Sequence, residues 1–478
     1  MKKRWFPLAQ SLLVGLWLAI LFGGCATSQK RSAAGTHHHS FIDYWPPPKN
    51  NRQLCLAVKD NIDIKGVVTS AGSEYVDRTS PPAAHDAECL AIARQRNVRI
   101  IGKTNLSEFA VAPSGLNDYF GTPINPYDKP WHHVIPGGSS SGSAVAVANG
   151  IADVAFGTDT AGSVRVPAAC CGIVGLKTTF GLVSLKGVVP IEPKHLDTVG
   201  PMGRDIAHVV LGMDLLEKGF ASRYKTAVKA KPTGRQIKIG RLYLSGTDPQ
   251  LDQAIDNALA QAGFQVVPLD KEFELKWDQA KKDGNVLAAA GAWMSERQYR
   301  SKWGVRARTK AAILLGRLVY PFKYRAGLRR LAEWQHTLHR VFERVDLIAV
   351  PTLQVVPPRI PAIGKIALLE TRVLNLQNTV AVNFAGNPAL AVPVPVKHEH
   401  FPVTSLQLVG PRFSEAELLN AGRLIEAQTS GPVNWLSQVA TRFAKAHPDS
   451  RFRQTRRSVQ LPESPAIFNV PLKSNVLP

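Results

Sequence analysis

Two turns built almost entirely from small residues constrain this chain more than any other feature. The first is Gly137-Gly138-Ser139-Ser140-Ser141-Gly142-Ser143. The second is Gly157-Thr158-Asp159-Thr160-Ala161-Gly162-Ser163, running on into Val164-Arg165. A backbone stripped of bulk approaches a ligand closely and turns N–H groups toward it, and a serine there is placed to attack. Neither turn contains histidine, and neither does the upstream Val58-Lys59-Asp60-Asn61, so a lysine is the natural base. A phosphate loop is excluded, since no Gly-Lys-Ser/Thr follows either turn. Singly, the pieces have plain readings: a linker, a solvated lysine, a turn.

It is their order along the chain that adds information. Leu56-Ala57-Val58-Lys59-Asp60-Asn61-Ile62-Asp63 is followed by Ile101-Gly102-Lys103-Thr104-Asn105-Leu106-Ser107-Glu108-Phe109 and then by the two serine turns. Cys171-Gly172-Ile173-Val174-Gly175-Leu176-Lys177 and Asp197-Thr198-Val199-Gly200-Pro201-Met202 come next. Further downstream stand Asp346-Leu347-Ile348-Ala349-Val350-Pro351-Thr352, Asn383-Phe384-Ala385-Gly386-Asn387-Pro388-Ala389 and Leu406-Gln407-Leu408-Val409-Gly410-Pro411. This ordered set, over roughly residues 53–428, resembles the amidase signature family, with a poorly matching middle.

The resemblance implies an α/β/α sandwich around a mixed central β-sheet, with a variable, helical middle region. It implies hydrolysis of carboxylic amides by a Ser-Ser-Lys triad, with Ser163 as nucleophile, Ser139 as bridging serine and Lys59 as base. It also implies a cis peptide bond between Gly138 and Ser139, and a supporting role for Ser140. The oxyanion donors would be the backbone N–H groups of Thr160, Ala161, Gly162 and Ser163. Ala161 departs from the commoner glycine; it keeps the N–H but resists a positive φ. Asp159 and Arg165 would hold the nucleophile loop by charge-assisted hydrogen bonds. A lysine with an ordinary pKa of about 10.4 is protonated at neutral pH, so Lys59 must be depressed by burial or by positive neighbours. No cofactor is implied and no metal-ligand spacing occurs. The partner is a small-molecule amide, and the family allows a homodimer.

Residues 1–24 read as an export signal: Lys2, Lys3 and Arg4, then an apolar run over 12–22. Leu21-Phe22-Gly23-Gly24-Cys25 resembles a bacterial lipobox, which makes Cys25 the lipidated residue and tethers the chain to a membrane. Ala26 after the cysteine suits an outer membrane facing the periplasm. The alternatives are an ordinary signal peptide and an uncleaved anchor, although the apolar run is short for a span. The formal charge of +22 attracts anionic lipid or envelope polymer, or simply solubilises. No nucleic-acid motif accompanies it. Of the remaining cysteines (Cys55, Cys89, Cys170 and Cys171), an oxidising compartment permits a Cys55–Cys89 bridge without requiring one.

With 45% hydrophobic and 20% charged residues, the chain has a globular composition. Residues 25–50, with His37-His38-His39 and Pro46-Pro47-Pro48, read as a polar tether. Residues 51–430 read as the catalytic domain, and 431–478 as a basic, proline-containing tail. Strands are expected over 54–58, 98–101 and 152–156, with helical segments over 87–96 and 143–149 between them. In the variable stretch, 220–345, a helix is expected over 249–262 with Asp248 as its cap and proline at its first position. The largely helical stretch from 286 to 342 interleaves Arg and Lys with aromatic residues. It is either a membrane-facing surface or a set of amphipathic helices with their aromatics packed inward. Two other functions fit parts of this pattern. One is that of the amidase-like component (the A subunit) of a tRNA-dependent amidotransferase, against which the export signal argues. The other is a catalytically idle, basic envelope-binding protein on the same scaffold.

Overall fold

The computed structural model describes residues 36–429, except 52 and 362–365. The expectations for residues 1–24, for Cys25 and for the tail at 431–478 lie outside the described residues.

Among the described residues, eleven strands form one mixed sheet. They are β1 (Phe41–Tyr44), β2 (Cys55–Lys59), β3 (Arg99–Thr104), β4 (Val154–Asp159), β5 (Val174–Lys177), β6 (Thr198–Gly203), β7 (Lys238–Arg241), β8 (Gln265–Pro268), β9 (Leu347–Pro351), β10 (Ala389–Pro395) and β11 (Val403–Val409). Their order across the sheet is β1-β3-β2-β4-β6-β5-β10-β11-β9-β7-β8. β2 runs parallel to β3 and β4, and β7 parallel to β8 and β9, while the other pairs are antiparallel. The helices that position the site and its surroundings are α1 (Ser141–Ala148), α2 (Arg165–Cys171), α3 (Pro249–Gln261), α4 (Lys271–Glu296), α5 (Ala307–Phe342), α6 (Val380–Ala385) and α7 (Glu415–Thr429).

The central strands are buried on both faces, as strands sandwiched between helices must be. Every residue of β2 is buried. Leu56 and Val58 join a large core with Phe156, Leu390 and Leu419. Cys55 and Ala57 join another, formed with Ala144, Val145 and Ala168 from α1 and α2. Because strand side chains alternate, Lys59 shares the parity of Cys55 and Ala57, on the side where α1 packs.

Helix α3 starts at Pro249, and Asp248 accepts a hydrogen bond from Gln250 N at 2.9 Å. The middle region is not a separate body, since β7 and β8 extend the same sheet beside β9. The tether expectation is corrected for residues 36–44. Phe41 and Ile42 are fully buried, and β1 pairs antiparallel with β3 at the sheet edge. The physical reason is that the adjacent apolar residues Phe41 and Ile42 enter two different cores, one on each side of the strand, while the backbone pairs with the edge of β3. The histidine run is part of this docking: the His37 ring lies 4.2 Å from that of Tyr44. The four described cysteines are free and buried. Cys55 and Cys89 belong to cores on opposite sides of β2, so no bridge joins them.

Candidate active site

The C-terminal ends of β2 and β4 lie in neighbouring strands, and the turns that follow them, with the loop before α1, bring the expected residues together. Lys59 is completely buried. Its Nζ donates to Ser139 Oγ at 2.8 Å and to Thr158 Oγ1 at 2.8 Å. Asn61 Nδ2 also donates to Thr158 Oγ1, at 3.0 Å, so this hydroxyl is fixed from two directions. Burial pulls the Lys59 pKa down to about 7, against the opposing pull of Asp159 and Asp197.

The Gly138–Ser139 peptide bond is cis. Gly138 is required by close approach, since a Cβ there would meet Ala112 O and Gly115 N at 2.6 Å. Ser140 N donates to Ser163 O at 3.2 Å and ties the two turns to each other. Ser139 and Ser140 are fully buried, whereas Ser163 and Ala161 are partly exposed. The nucleophile candidate therefore meets solvent while the base candidate is sealed beneath it. The Lys59–Ser139 leg of the expected relay is a direct hydrogen bond. The Ser163 hydroxyl makes none with Ser139 among the described residues.

In the nucleophile loop the positive φ falls on Gly162, at +130°, and not on Ala161. Alanine is thus compatible with the loop. A Cβ at Gly162 would lie 2.2 Å from Thr379 Oγ1. The expectation of four oxyanion donors is corrected at one position. The Gly162 N–H donates to Asp159 Oδ1 at 2.8 Å, because that carboxylate lies directly beneath it. The N–H groups of Ala161 and Ser163 have no acceptor among the described residues. Thr160 is held from its side chain, with Oγ1 donating to Asp197 Oδ1 at 2.7 Å.

Asp159 and Arg165 are both fully buried and form a bidentate pair, with Nε to Oδ2 at 3.0 Å and Nη2 to Oδ1 at 2.9 Å. Burial opposes ionisation of Asp159, but the Arg165 guanidinium holds its carboxyl well below the usual range. Arg165 also donates to Thr379 O, Gln407 Oε1 and Asn383 Oδ1. All five residues thus fix the loop to α6 and β11. A buried charge pair of this kind persists only where its remaining donors are satisfied, as they are here.

Thr158, Asn61, Asp197, Thr379, Asn383 and Gln407 were not singled out by spacing or chemistry. Each except Thr379 lies in a segment that carries the family resemblance, which was the available signal. Among the described residues, no three His, Cys, Asp or Glu side chains are grouped to hold a metal.

Comparison with known proteins places this geometry in a family. The Amidase family model matches residues 54–419, and the chain belongs to the amidase family. It is 35% identical over 391 residues to 2-amino-5-chloromuconic acid deaminase of Comamonas testosteroni, covering 78% of this chain and 81% of that protein. It is 31% identical over 417 residues to the A subunit of glutamyl-tRNA(Gln) amidotransferase from Halobacterium salinarum, covering 78% and 94%. The crystal structure of the corresponding Thermotoga maritima protein superposes with a TM-score of 0.68 at 25% identity, covering 84% of this chain and 89% of that one. The fold is therefore the amidase-signature α/β fold, and the protein is an amidase-family enzyme.

Proposed function

We propose that this enzyme hydrolyses a carboxylic amide through an acyl-enzyme on Ser163. The observation that carries the reading is the 2.8 Å hydrogen bond from buried Lys59 to Ser139, on the turn bonded to the Ser163 loop. Neutral Lys59 takes a proton from Ser139 as Ser139 takes one from Ser163, and the Ser163 oxygen attacks the amide carbon. The N–H groups of Thr160, Ala161 and Ser163 receive the oxyanion, where one donor contributes about 3 kcal/mol of transition-state stabilisation. Run in reverse, the same path delivers a proton to the leaving nitrogen, and water then releases the acid.

Export and lipid attachment at Cys25 belong to the same proposal. They rest on the basic start, the apolar run and the Leu-Phe-Gly-Gly-Cys sequence. A cell-envelope protein meets no aminoacylated tRNA, which sets this reading apart from the amidotransferase subunits among its relatives.

The test is amine or ammonia release from a panel of aliphatic, aryl and peptide amides, with 2-amino-5-chloromuconic acid and glutamine included, beside a Ser163→Ala variant. Turnover that disappears in the variant supports the proposal and identifies the substrate class. Silence from both proteins, with no fluorophosphonate labelling of Ser163, overturns it in favour of an idle envelope-binding scaffold.

A further inference from the structure

Helix α5 carries a face that its neighbours among the described residues leave uncovered. Thr309, Ile313, Gly316 and Gly327 mark its inner side, all buried. The packing there is close: a Cβ on Gly316 would meet Ala289 O of α4 at 2.0 Å. On the opposite side Leu314, Leu315, Leu318 and Phe322 stand in solvent, Leu318 at 69% and Phe322 at 82% exposure. Positions 314, 318 and 322 follow one another at a helical turn, so these side chains form a continuous stripe. Single exposed leucines are ordinary, but a contiguous row on one helix face marks a contact surface.

The charge around the stripe has one sign. Between Glu296 and Glu333 the chain contains no acidic residue. Arg317, Lys323 and Arg325 are exposed on the same stretch, and Lys310 is half-buried one turn before it. Lys310, Lys323 and Arg325 form no ion pair among the described residues, and Arg317 lies over the Trp293 ring at 5.7 Å. Trp303, in the loop before α5, is 74% exposed. Of the two readings of this region, inward packing of the aromatics fails at Trp303, Tyr320 and Phe322.

We propose that this face of α5 docks on an anionic lipid bilayer, the leucines and Phe322 entering the acyl boundary while the cations meet lipid phosphates. Charge complementarity selects the occupant. A second copy of this chain docked face to face would bring two unneutralised cationic rows together, whereas an anionic bilayer offers both the apolar layer and the counter-charge. The inference does not rest on the catalytic reading or on lipid at Cys25. Lipid at Cys25 would hold the chain at a membrane without orienting the body, and a contact of this kind would fix how the body lies on the surface.

The test uses the full chain with Cys25→Ser, so that lipidation contributes nothing and the N-terminal segment is common to all samples. Co-sedimentation is measured with vesicles of phosphatidylcholine alone and with added phosphatidylglycerol, for the parent and for a Leu318→Glu/Phe322→Glu double variant. Both positions are exposed, so melting temperature is expected to stay unchanged. The expected result is a loss of at least about tenfold in partition to the anionic vesicles. A polarity-sensitive fluorophore at Leu318→Cys, the other described cysteines being buried, reports locally and is expected to shift to the blue on anionic vesicles only. Equal partition of parent and double variant, with no blue shift, overturns the proposal. So does a double variant that partitions normally but converts a dimer to a monomer in sedimentation velocity, which would assign the face to a second copy.

Discussion

Lys59 must hold two properties that water would forbid together: a basic nitrogen and a neutral charge at physiological pH. Burial supplies both by lowering its pKa to about 7. On the proposed mechanism only the neutral amine is competent, so kcat/KM should fall by about tenfold per pH unit below that value and level off above it. Lys59→Arg, charged at every accessible pH, should be inactive without that limb. An acid limb unchanged in a variant that retains activity would remove Lys59 from the base role. The same shift sets a sign on stability. The unfolded lysine titrates near 10.5 and the folded one near 7, so in that window the unfolded chain binds the extra proton and this group's penalty shrinks as pH rises. Below about 7 both states are charged and the full cost of burial remains. Lys177, buried and also lowered to about 7 through desolvation and then Arg165, adds in the same direction. The residues that sequence made legible here are those with a chemical demand on their type: Lys59, Ser139, Ser163, Asp159, Arg165. Thr158 and Asp197 were not, because a hydroxyl or carboxylate that only accepts hydrogen bonds from its neighbours carries no spacing of its own.

At the level of elements, strand β2, the small-residue helix α1 and the capped helix α3 follow from runs, composition and the Asp-Pro start. Strand β1 does not. Four residues, Phe-Ile-Asp-Tyr, between a histidine run and three prolines are too short a run to stand apart from a polar linker. Its partner strand supplies the missing information. Gly102 of β3 is approached so closely by β1 that a Cβ would lie 2.1 Å from Asp43 O. The next residue, Lys103, donates to Ile62 O and lies 3.1 Å from Asp60 Oδ1, beside Lys59. The edge strand thus covers the strand that braces the base. Phe41 is fully buried in the core that also contains Ala57 and Ala144. Phe41→Ala is expected to cost about 3–5 kcal/mol in denaturant unfolding, the usual cost of deleting a buried phenyl ring. A change within about 0.5 kcal/mol would return this segment to the status of a loose tether.

Over the whole molecule, the amidase-signature architecture was legible because its motifs recur in family order, whereas in the middle the helices were legible but not their packing, since a variable region has no motif to recur. The exposed stripe of α5 shows the same limit: periodicity told that a helix was there, and only packing against α4 told which face was left over. The export proposal belongs to this scale, since it decides where the entire body works. Cys25 lies outside the described residues 36–429, and changing it tests the address of the chain. Expressed in a bacterium with its own N-terminus, the chain is expected to incorporate labelled palmitate and to enter the detergent phase on phase separation. Cys25→Ser should abolish the labelling while leaving the melting temperature of the body unchanged. A chain that stays in the cytosol unlabelled would remove the argument that sets it apart from the amidotransferase subunits. Glutamine-dependent ammonia release stimulated by charged tRNA would then become the activity to measure.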